Sequence, residues 1–579
     1  MNLRAAVYFD IVKDVIIISI NLMKLSDYVI KFIKEEVADS VFLLSGGGIM
    51  HLVDSIGKSG INAYCCHHEQ GAVIAAEGYG RIKNHPGVAV VTTGPGGTNA
   101  VTGIAGAWLD SIPMLVIAGQ VKRDNIAPRK NGVPMVRAIG FQELNVIDIV
   151  KPITKYAATV EDEKEIRYHL EKALHLATSG RPGPVFVEIP LDVQAVEIEP
   201  SNLKSFSPSE LEEEPKLDKN LMAKAVELLR EAKRPLFVAG NGIRLAGGEE
   251  ILWKVLEKFK INAVTAIFTS DDLVTHEYPY YLGRQGMPGN KAANYAADNC
   301  DVLLVVGERL QLTQTSYDYD KFAGQAKKIM VDIDENELYK KTVEIDVPIH
   351  CDAKVFLEEL YKQDIKLNRW EVKVEPINPD DYACDPKYLN VYEFWDKLNN
   401  MVDKMDVATS DGMASVTPHQ ALKMSRGQRF ITNAGLGHMG SGLPLAIGAC
   451  VAGGKKPVIC SEGDGSIMLC IQELQTVIHH RLPIKIFIFN NFGYHSIRST
   501  HLKFFNKIFA ADPSSGVSFP DFQKLIPAWG LAYERINNDS ELDKLEKVMS
   551  HQGPIVCELM LDPNQPTLEK WSAGALKTN

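Results

Sequence analysis

The turn Gly463-Asp464-Gly465-Ser466 and the later pair Asn490-Asn491 hold the side chains best suited to chemistry in this chain. Carboxylate and amide oxygens are hard ligands, which Mg²⁺ prefers when ligand phosphates complete its octahedron. The glycine-rich turn also leaves backbone N–H groups free to bind phosphate at the start of the next helix. The pattern therefore predicts a magnesium-diphosphate site, with Asp464, the Asn491 side chain and the carbonyl of Gly493 as metal ligands.

A strand, a helix and a second strand must position these residues. Residues 467–480 carry a helical apolar rhythm, and Ile484-Lys485-Ile486-Phe487-Ile488-Phe489 is a short apolar run typical of a buried strand. A right-handed crossover makes the two strands of such a unit parallel. Asp464 and Asn491 are therefore expected at the same carboxyl edge of one sheet, where open α/β folds bind ligands.

This signature resembles the cofactor site of thiamine-diphosphate enzymes, and three further segments resemble the same family. The segment Cys66-His67-His68-Glu69-Gln70-Gly71-Ala72 resembles the one whose glutamate hydrogen-bonds the aminopyrimidine ring of the cofactor. The resemblance implies that Glu69 is the catalytic carboxyl group, which promotes proton removal from the thiazolium ring. Taken alone, Glu69 is more typical of an exposed glutamate at a helix start.

Two glycine-rich segments complete the resemblance. Thr92-Thr93-Gly94-Pro95-Gly96-Gly97-Thr98-Asn99 resembles the turn that faces the cofactor of the neighbouring subunit, with Pro95 and Asn99 as contacts. Asn433-Ala434-Gly435-Leu436-Gly437-His438-Met439-Gly440 resembles the stretch whose large apolar residue, here Met439, holds the cofactor in a bent shape. The structural alternatives are an ordinary strand-to-helix turn and a core methionine.

The family pattern implies a larger set of cofactor contacts in the C-terminal third of the chain. They are Gly412, Met413, Gly437, His438, Met439, Gly463, Asp464, Gly465, Ser466, Asn491, Gly493, Tyr494 and His495. Among thiamine enzymes the chain resembles the acetolactate synthase family over residues 24–565. Its segments 141–143 and 152–155 resemble that family's substrate-side loop, which makes Gln142 and Lys155 candidate catalytic, substrate-contacting residues. A polar helix start and a surface lysine are the structural alternatives.

The resemblance implies a carboligase that decarboxylates a 2-oxo acid such as pyruvate and joins the acetyl-type unit to a carbonyl acceptor. Thr500 stands where the family's anabolic members place a tryptophan, so a wider and more polar acceptor pocket is expected. A second pyruvate and a keto sugar of surface-polysaccharide biosynthesis both stay open as acceptors. A simple decarboxylase, with His67 or His68 as proton donor, is the alternative enzyme. A non-catalytic cofactor-binding protein is the alternative of another class.

In acetolactate synthases the central domain binds FAD without redox use. This chain keeps the surrounding frame in residues 281–287, but it replaces the acidic-acidic-arginine segment usual in the family by Glu308-Arg309-Leu310-Gln311-Leu312-Thr313-Gln314-Thr315. FAD is therefore possible but doubtful as a cofactor beside thiamine diphosphate and Mg²⁺.

Length and composition predict a soluble α/β protein of several domains, because the chain has 579 residues of which 45% are hydrophobic. The expected fold is three doubly wound parallel-sheet domains. The predicted segments are an extension (1–22), a pyrimidine-binding domain (23–194), a linker (195–217), a central domain (218–364), a linker (365–385) and a diphosphate- and magnesium-binding domain (386–579).

Charge and cysteine content exclude several classes of protein. The net charge of −11, without long basic blocks, argues against nucleic acid and anionic membranes as partners. Residues 15–22 are apolar but too few to span a bilayer. Nine scattered cysteines without a CxxC pair indicate neither disulfides nor zinc and predict a cytoplasmic enzyme. Since family members join Glu69 and the diphosphate site across two chains, a homodimer or homotetramer is expected.

Overall fold

Three six-stranded parallel sheets form the framework of the chain, which confirms the predicted fold class. The computed structural model describes residues 22–130, 132–211, 214–268, 273–402 and 404–578. The predicted extension therefore lies outside the described residues except for Leu22. Inner strands of the three sheets are apolar runs that are almost entirely buried, as expected when helices cover both faces of a parallel sheet.

The N-terminal domain contains the first sheet. Its strands are β1 (Met23–Lys24), β2 (Ser40–Leu43), β3 (Asn62–Cys65), β4 (Gly87–Val91), β5 (Met114–Gln120), β6 (Arg129–Lys130), β7 (Val133–Pro134), β8 (Tyr156–Thr159), β9 (Pro184–Pro190) and β10 (Glu197–Ile198). Its helices are α1 (Leu25–Phe32), α2 (Met50–Ser59), α3 (Glu69–Lys83), α4 (Pro95–Leu109), α5 (Val146–Val150), α6 (Ile166–Thr178) and α7 (Leu191–Gln194). The sheet order is β3-β2-β4-β5-β9-β8, while β1 pairs with β10 and β6 with β7.

The central domain contains the second sheet, in the order β13-β12-β11-β14-β15-β16. Its strands are β11 (Pro235–Ala239), β12 (Asn262–Ala266), β13 (Tyr281–Gln285), β14 (Val302–Val306), β15 (Lys327–Asp332) and β16 (Val347–His350). Its helices are α8 (Lys219–Glu231), α9 (Gly242–Leu245), α10 (Glu249–Phe259), α11 (Lys291–Asn299), α12 (Leu312–Thr315), α13 (Glu335–Tyr339) and α14 (Ala353–Lys362).

The C-terminal domain contains the third sheet, in the order β18-β17-β19-β20-β22-β21. Its strands are β17 (Asp406–Thr409), β18 (Phe430–Thr432), β19 (Val458–Gly463), β20 (Ile484–Asn490), β21 (Ala532–Ile536) and β22 (Ile555–Met560). Its helices are α15 (Val391–Asn399), α16 (Met413–Ala421), α17 (Gly442–Ala452), α18 (Glu473–His480), α19 (His495–Phe505), α20 (Phe522–Ala528) and α21 (Lys544–Ser550).

The two outer domains share one strand order that the sequence did not reveal. Numbered within each sheet, their strands run 2-1-3-4-6-5, whereas those of the central sheet run 3-2-1-4-5-6. The latter is the order of dinucleotide-binding folds. The sequence showed no internal repeat because the shared feature is the path of the chain and not a pattern of residues.

The outer domains of one chain pack against each other through small residues of α3 and α17. A Cβ added to Gly78 would lie 2.3 Å from the carbonyl oxygen of Leu445, and one added to Gly448 would lie 1.9 Å from that of Ala75. The two helix backbones can approach this closely only because glycine occupies both positions. In the part of the chain that the structure describes, no helix is both long and apolar enough to cross a membrane.

Candidate active site

The predicted metal ligands follow two neighbouring strands, β19 and β20. These strands pair in parallel, with Gly463 opposite Phe489, so Asp464 and Asn491 both lie at the carboxyl edge of the third sheet, as predicted. Asp464 is only 2% exposed. Its carboxylate oxygens accept hydrogen bonds from Gly465 N–H (2.7 Å) and Gly493 N–H (2.9 Å). The two loops are thus joined through this one side chain.

The loop after β20 is held by Arg498, which projects from α19. Its guanidinium donates to the carbonyl oxygens of Asn491 (2.8 Å) and Phe492 (3.2 Å). Gly493 has a φ of 148°, and a Cβ there would lie 2.2 Å from the carbonyl oxygen of Ala511. The loop that carries Asn491 therefore depends on a buried arginine and on one glycine.

The donor set at this edge fits a magnesium ion held together with a diphosphate. Burial raises the pKa of the Asp464 carboxyl to about 7, so its charge lacks sufficient compensation from the protein alone. Asn491 is also buried, and among the described residues the hydrogen bond to its amide oxygen is a long one of 3.4 Å from Arg498. Among the described residues, no cluster of three or more acidic, histidine or cysteine side chains forms a metal site. Such a cluster is unnecessary where phosphate oxygens supply further ligands.

Residues 433–440, here called the wedge segment because Met439 is expected to hold the cofactor in a bent shape, are tied to the same turn. Gly440 N–H donates to Ser466 Oγ (2.8 Å), so Met439, which is half-buried, has a fixed backbone beside residues 463–466. Gly437, with a φ of 63°, makes the turn before it. Both ring nitrogens of His438 are buried without a hydrogen-bond partner in the described part of the chain, and burial lowers the pKa of this imidazole to about 4. A neutral imidazole is therefore ready to accept or donate a hydrogen bond.

The remaining predicted contacts of this domain surround the same edge. Gly412, with a φ of 62°, immediately precedes α16, and Met413 lies buried with its sulfur 3.7 Å from the Asn491 amide nitrogen. The Tyr494 ring covers the turn so closely that a Cβ on Gly465 would lie 2.2 Å from it. Burial lowers the pKa of His495. The structure thus brings the predicted residues of 412–413, 437–439, 463–466 and 491–495 together.

Glu69 lies at the carboxyl edge of the first sheet, where it begins α3. The side chain is buried, with 5% exposure, and one carboxylate oxygen accepts a hydrogen bond from Asn99 Nδ2 (2.9 Å). Asn99 belongs to α4, whose first residue is the exposed Pro95. Within the described residues of one chain, no hydrogen bond joins Glu69 or Asn99 to the loops around Asp464.

The two candidate substrate contacts lie at opposite edges of the first sheet. Gln142 is exposed with a φ of 65°, and its carbonyl oxygen packs on Gly94 in the turn before α4. Lys155 precedes β8 at the amino edge, and its ammonium group donates to Ser179 O (2.5 Å). Burial lowers the pKa of Lys155 to about 8. Gln142 therefore shares an edge with Glu69, whereas Lys155 of the same chain lies at the opposite edge.

A buried ionic network that sequence reasoning missed positions the wedge segment from the N-terminal domain. Arg81 forms ion pairs with Glu77 (2.7 Å) and Asp110 (2.5 Å). Glu77 accepts from Asn433 Nδ2 (2.9 Å), and Asp110 accepts from Gly435 N–H (2.9 Å). The sequence gives one signal for it, because Glu77 and Arg81 stand four residues apart in the Ala- and Gly-rich helix α3.

A second missed residue, Glu473, reaches from α18 to the loop before Glu69. Its carboxylate oxygen accepts hydrogen bonds from His67 N–H and His68 N–H, both at 3.1 Å. The helix also begins later than the apolar rhythm of 467–480 suggested, with a 3₁₀ turn at Ile467–Leu469 and α18 from Glu473. Glu473 shares the apolar stripe with Leu474 and Val477, and an acid on such a stripe was the available signal.

Comparison with known proteins finds relatives along nearly the whole chain. Three family models match, described as the N-terminal TPP binding domain (residues 23–146), the central domain (222–360) and the C-terminal TPP binding domain (411–559) of thiamine pyrophosphate enzymes. The acetolactate synthase isozyme 2 large subunit of Escherichia coli K12 is 32% identical over 554 residues, covering 93% of this chain and 95% of the relative. A probable acetolactate synthase large subunit of Methanococcus aeolicus is 32% identical, with 96% and 94% covered. The acetolactate synthase large subunit of Lactococcus lactis is 31% identical, with 95% of this chain and 94% of the relative covered.

Proposed function

We propose that this chain, which belongs to the thiamine pyrophosphate enzymes and is a thiamine-diphosphate-dependent enzyme of the acetolactate synthase type, is a magnesium-dependent carboligase. It would decarboxylate a 2-oxo acid, with pyruvate as the donor, and join the remaining unit to a carbonyl acceptor. The observation that carries this proposal is the buried Asp464 carboxylate, which joins two loops at the sheet edge. Burial raises the pKa of this carboxyl group to about 7, and a bound cation would favour its ionised form.

We assign the magnesium ligands to Asp464, the Asn491 side chain and the Gly493 carbonyl. Arg498 would hold the Asn491 loop in place through two carbonyl oxygens, and Tyr494 would keep the turn at Gly465 closed. When bound, thiamine diphosphate supplies a carbon nucleophile that attacks the 2-oxo acid and accepts the electron pair released with carbon dioxide. The protein's part is to hold the diphosphate end rigidly against the cation.

We assign the catalytic carboxyl group to Glu69. Asn99 donates to one of its oxygens, which fixes the carboxyl group and leaves the other oxygen for the aminopyrimidine ring. Met439 would support the bent cofactor, since Ser466 fixes its segment to the diphosphate turn. His438 would face the reacting atoms as a neutral imidazole, because burial keeps its pKa at about 4.

The acceptor is a 2-oxo acid or a keto sugar, and separate observations favour each. The relatives named above are acetolactate synthase large subunits, which supports a second 2-oxo acid. Thr500 is exposed on α19, where its hydroxyl donates to Ser496 O (2.9 Å) and can still accept a hydrogen bond. A polar group at this position supports an acceptor with hydroxyl groups.

We propose that each active site forms between two copies of the chain, in a homodimer or homotetramer. Glu69 bonds within its own domain, and exposed apolar side chains stand beside both halves of the site. Near Gln142, the side chain of Phe141 is 88% exposed, and Phe504, Phe505 and Phe509 are exposed at the end of α19 and beyond it. Apolar patches of this kind mark protein interfaces.

We propose that turnover does not require FAD. A cavity of about 280 Å³ lies between the N-terminal and central domains, beside Gly242, Gly307 and Arg309. However, the segment that replaces the family's charged one folds inward, with Leu310, Gln314 and Thr315 buried. These three uncharged side chains occupy space inside the domain, and the charged side chains of the same segment, Glu308 and Arg309, line the cavity. Cofactor dependence is tested by adding FAD to the assay below.

We place the enzyme in the cytoplasm. All nine cysteines are free thiols, and seven of them are buried. A reducing compartment suits such a protein, since thiols in oxidising compartments are usually paired.

The proposal is tested by incubating the purified protein with thiamine diphosphate, Mg²⁺ and pyruvate, with and without FAD, and following carbon dioxide and all products by NMR. A second series adds fructose as a keto-sugar acceptor. We expect a coupled product that depends on both thiamine diphosphate and Mg²⁺. Acetaldehyde as the sole product would make the protein a decarboxylase, and no thiamine-dependent turnover in either series would overturn the proposal.

A further inference from the structure

The loop before α3, which leads to Glu69, is bound by a carboxylate of the C-terminal domain. Glu473, the first residue of α18, is fully buried. Its Oε1 accepts hydrogen bonds from the backbone N–H groups of His67 and His68, the two residues directly before Glu69. Glu473 thus lies at the boundary between the two outer domains and acts on backbone atoms of the N-terminal one.

The carboxylate is fixed from both sides. Thr476 Oγ1 donates to Glu473 Oε2 (2.7 Å) and lies 3.5 Å from Cys65 O at the end of β3. On the other side, a Cβ added to Gly71 would lie 2.5 Å from Glu473 Oε1, so only glycine leaves room for this side chain. Burial raises the pKa of Glu473, whereas the two N–H groups and the hydroxyl favour its ionised form. The hydrogen bonds and the close packing together hold the Glu473 carboxylate in one defined position.

Among the described residues, no hydrogen bond joins Glu473 to the Glu69 side chain. Gly71 faces Glu473, and Glu69 stands two residues earlier on the same helix, about 200° around its axis. The Glu69 carboxylate accordingly points to the other side of α3, where it accepts from Asn99. Any influence of Glu473 on Glu69 must therefore pass through the backbone of residues 67 and 68.

We propose that Glu473 is a positioning residue that sets the start of α3, and hence the direction in which Glu69 presents its carboxyl group to the cofactor. This inference rests on the proposed role of Glu69. Without an acceptor for the two N–H groups, residues 66–68 are no longer held in one position, and neither is the first turn of α3 that follows them. Since displacement by about 1 Å can cost on the order of 100-fold in rate, the effect should be large although Glu473 touches no reacting atom.

Two readouts test this on the full-length protein with the variant Glu473→Ala and the matched control Gln475→Ala. Without cofactor, hydrogen–deuterium exchange of a peptide covering residues 65–72 should become faster in Glu473→Ala and stay unchanged in the control, whose side chain is exposed on the same helix. With thiamine diphosphate and Mg²⁺, exchange of the thiazolium C2 proton, read by NMR after acid quench, should slow about 10- to 100-fold. The thiamine diphosphate Kd should change by less than about threefold, because the Asp464 loops are untouched.

Rescue separates positioning from a general packing role. Glu473→Gln keeps an oxygen that can accept both N–H groups, so its C2 exchange rate should stay within about fivefold of the wild-type rate. A wild-type C2 exchange rate in folded Glu473→Ala would overturn the proposal. If that variant does not fold, Thr476→Val removes only the hydroxyl that orients the carboxylate, and an unchanged C2 exchange rate there would overturn it equally. A wild-type protein without thiamine-dependent C2 exchange would instead refute the proposed function.

Discussion

The two outer sheets share one strand order, but different groups occupy the carboxyl edges of the two sheets. In the C-terminal domain, the loops after the third and fourth strands, β19 and β20, surround Asp464 with backbone N–H groups. In the N-terminal domain the edge is filled by the protein itself. After β4, Thr92 Oγ1 accepts from Gly48 N–H (3.2 Å), and Gln120 at the end of β5 donates to Glu188 (3.1 Å).

This difference shows how one framework supplies two halves of a site. The C-terminal edge holds the buried Asp464 carboxylate, where we propose that a cation and phosphate bind. In the N-terminal domain, side chains of the protein fill the edge at the corresponding strands, β4 and β5. Glu69 instead follows β3, which lies next to β2 in the sheet. Function is therefore determined by the loops, and the shared strand order fixes only where those loops meet.

The strongest test of the comparison removes the cation-binding half. Asp464→Ala should abolish binding of Mg²⁺ and thiamine diphosphate and lower activity more than about 1,000-fold, because a buried metal ligand is lost. Isothermal titration with thiamine diphosphate in the presence of Mg²⁺ measures this. Asp543→Asn, at an exposed carboxylate paired with Lys397, is the control and should behave like wild type. Normal cofactor affinity in Asp464→Ala would remove the basis of the proposed site.

Removing the other half should separate binding from chemistry. Glu69→Gln should lower kcat about 100- to 1,000-fold, since proton-transfer assistance is lost, and leave the Kd of thiamine diphosphate within about tenfold. Steady-state kinetics and titration together measure both quantities. Glu35→Gln, on the exposed surface of the same domain, serves as the control. A loss of affinity as large as that of Asp464→Ala would mean that the two halves are not distinct in role.

A matched pair of glycines compares the loops directly. Gly493→Ala should lower both thermal stability and cofactor affinity, because its φ of 148° and the nearby Ala511 carbonyl exclude a side chain; the cost should be about 1–3 kcal/mol or more. Gly47→Ala, in the loop after β2 of the other domain, meets nothing within 4 Å and should change neither. Differential scanning calorimetry and titration check both variants. Equal effects would contradict the difference drawn between the loops.

The smallest effect concerns the filled edge of the N-terminal domain. Burial raises the pKa of Glu188 from its ordinary value of 4.5 to about 7. The folded state therefore retains a proton that the unfolded state releases, so this group's contribution to stability is lost as pH rises from about 4.5 to 7. Glu188→Gln should flatten the pH dependence of the free energy of unfolding by on the order of 1–3 kcal/mol over that range, as denaturant titrations would measure. An unchanged pH dependence would contradict the burial argument, and activity should persist.

The positions of Asp464 and Asn491 were predictable from the sequence because each residue directly follows a strand. A parallel pair of strands places Asp464 and Asn491 at one edge whatever the rest of the chain does, and the structure shows them there. The same reasoning could not place Lys155, whose motif resembles a substrate loop but whose position before β8 puts it at the amino edge. Contacts between domains, such as those of Glu473 and Asp110, depend on long-range packing, so a local pattern can single out the residue but cannot identify its partner in the other domain.

The central claim is that Glu69 and the Asp464 loops of one site come from two different chains. Complementation between two inactive variants tests this claim most directly. Glu69→Gln and Asp464→Ala are co-expressed with different tags, and assemblies that carry both tags are purified and assayed. In a mixed pair, one site combines the intact Glu69 of one chain with the intact Asp464 of the other. The account predicts about a quarter to a half of wild-type activity for such assemblies. Activity no higher than that of either variant alone would show that each chain builds its own site and would contradict the account.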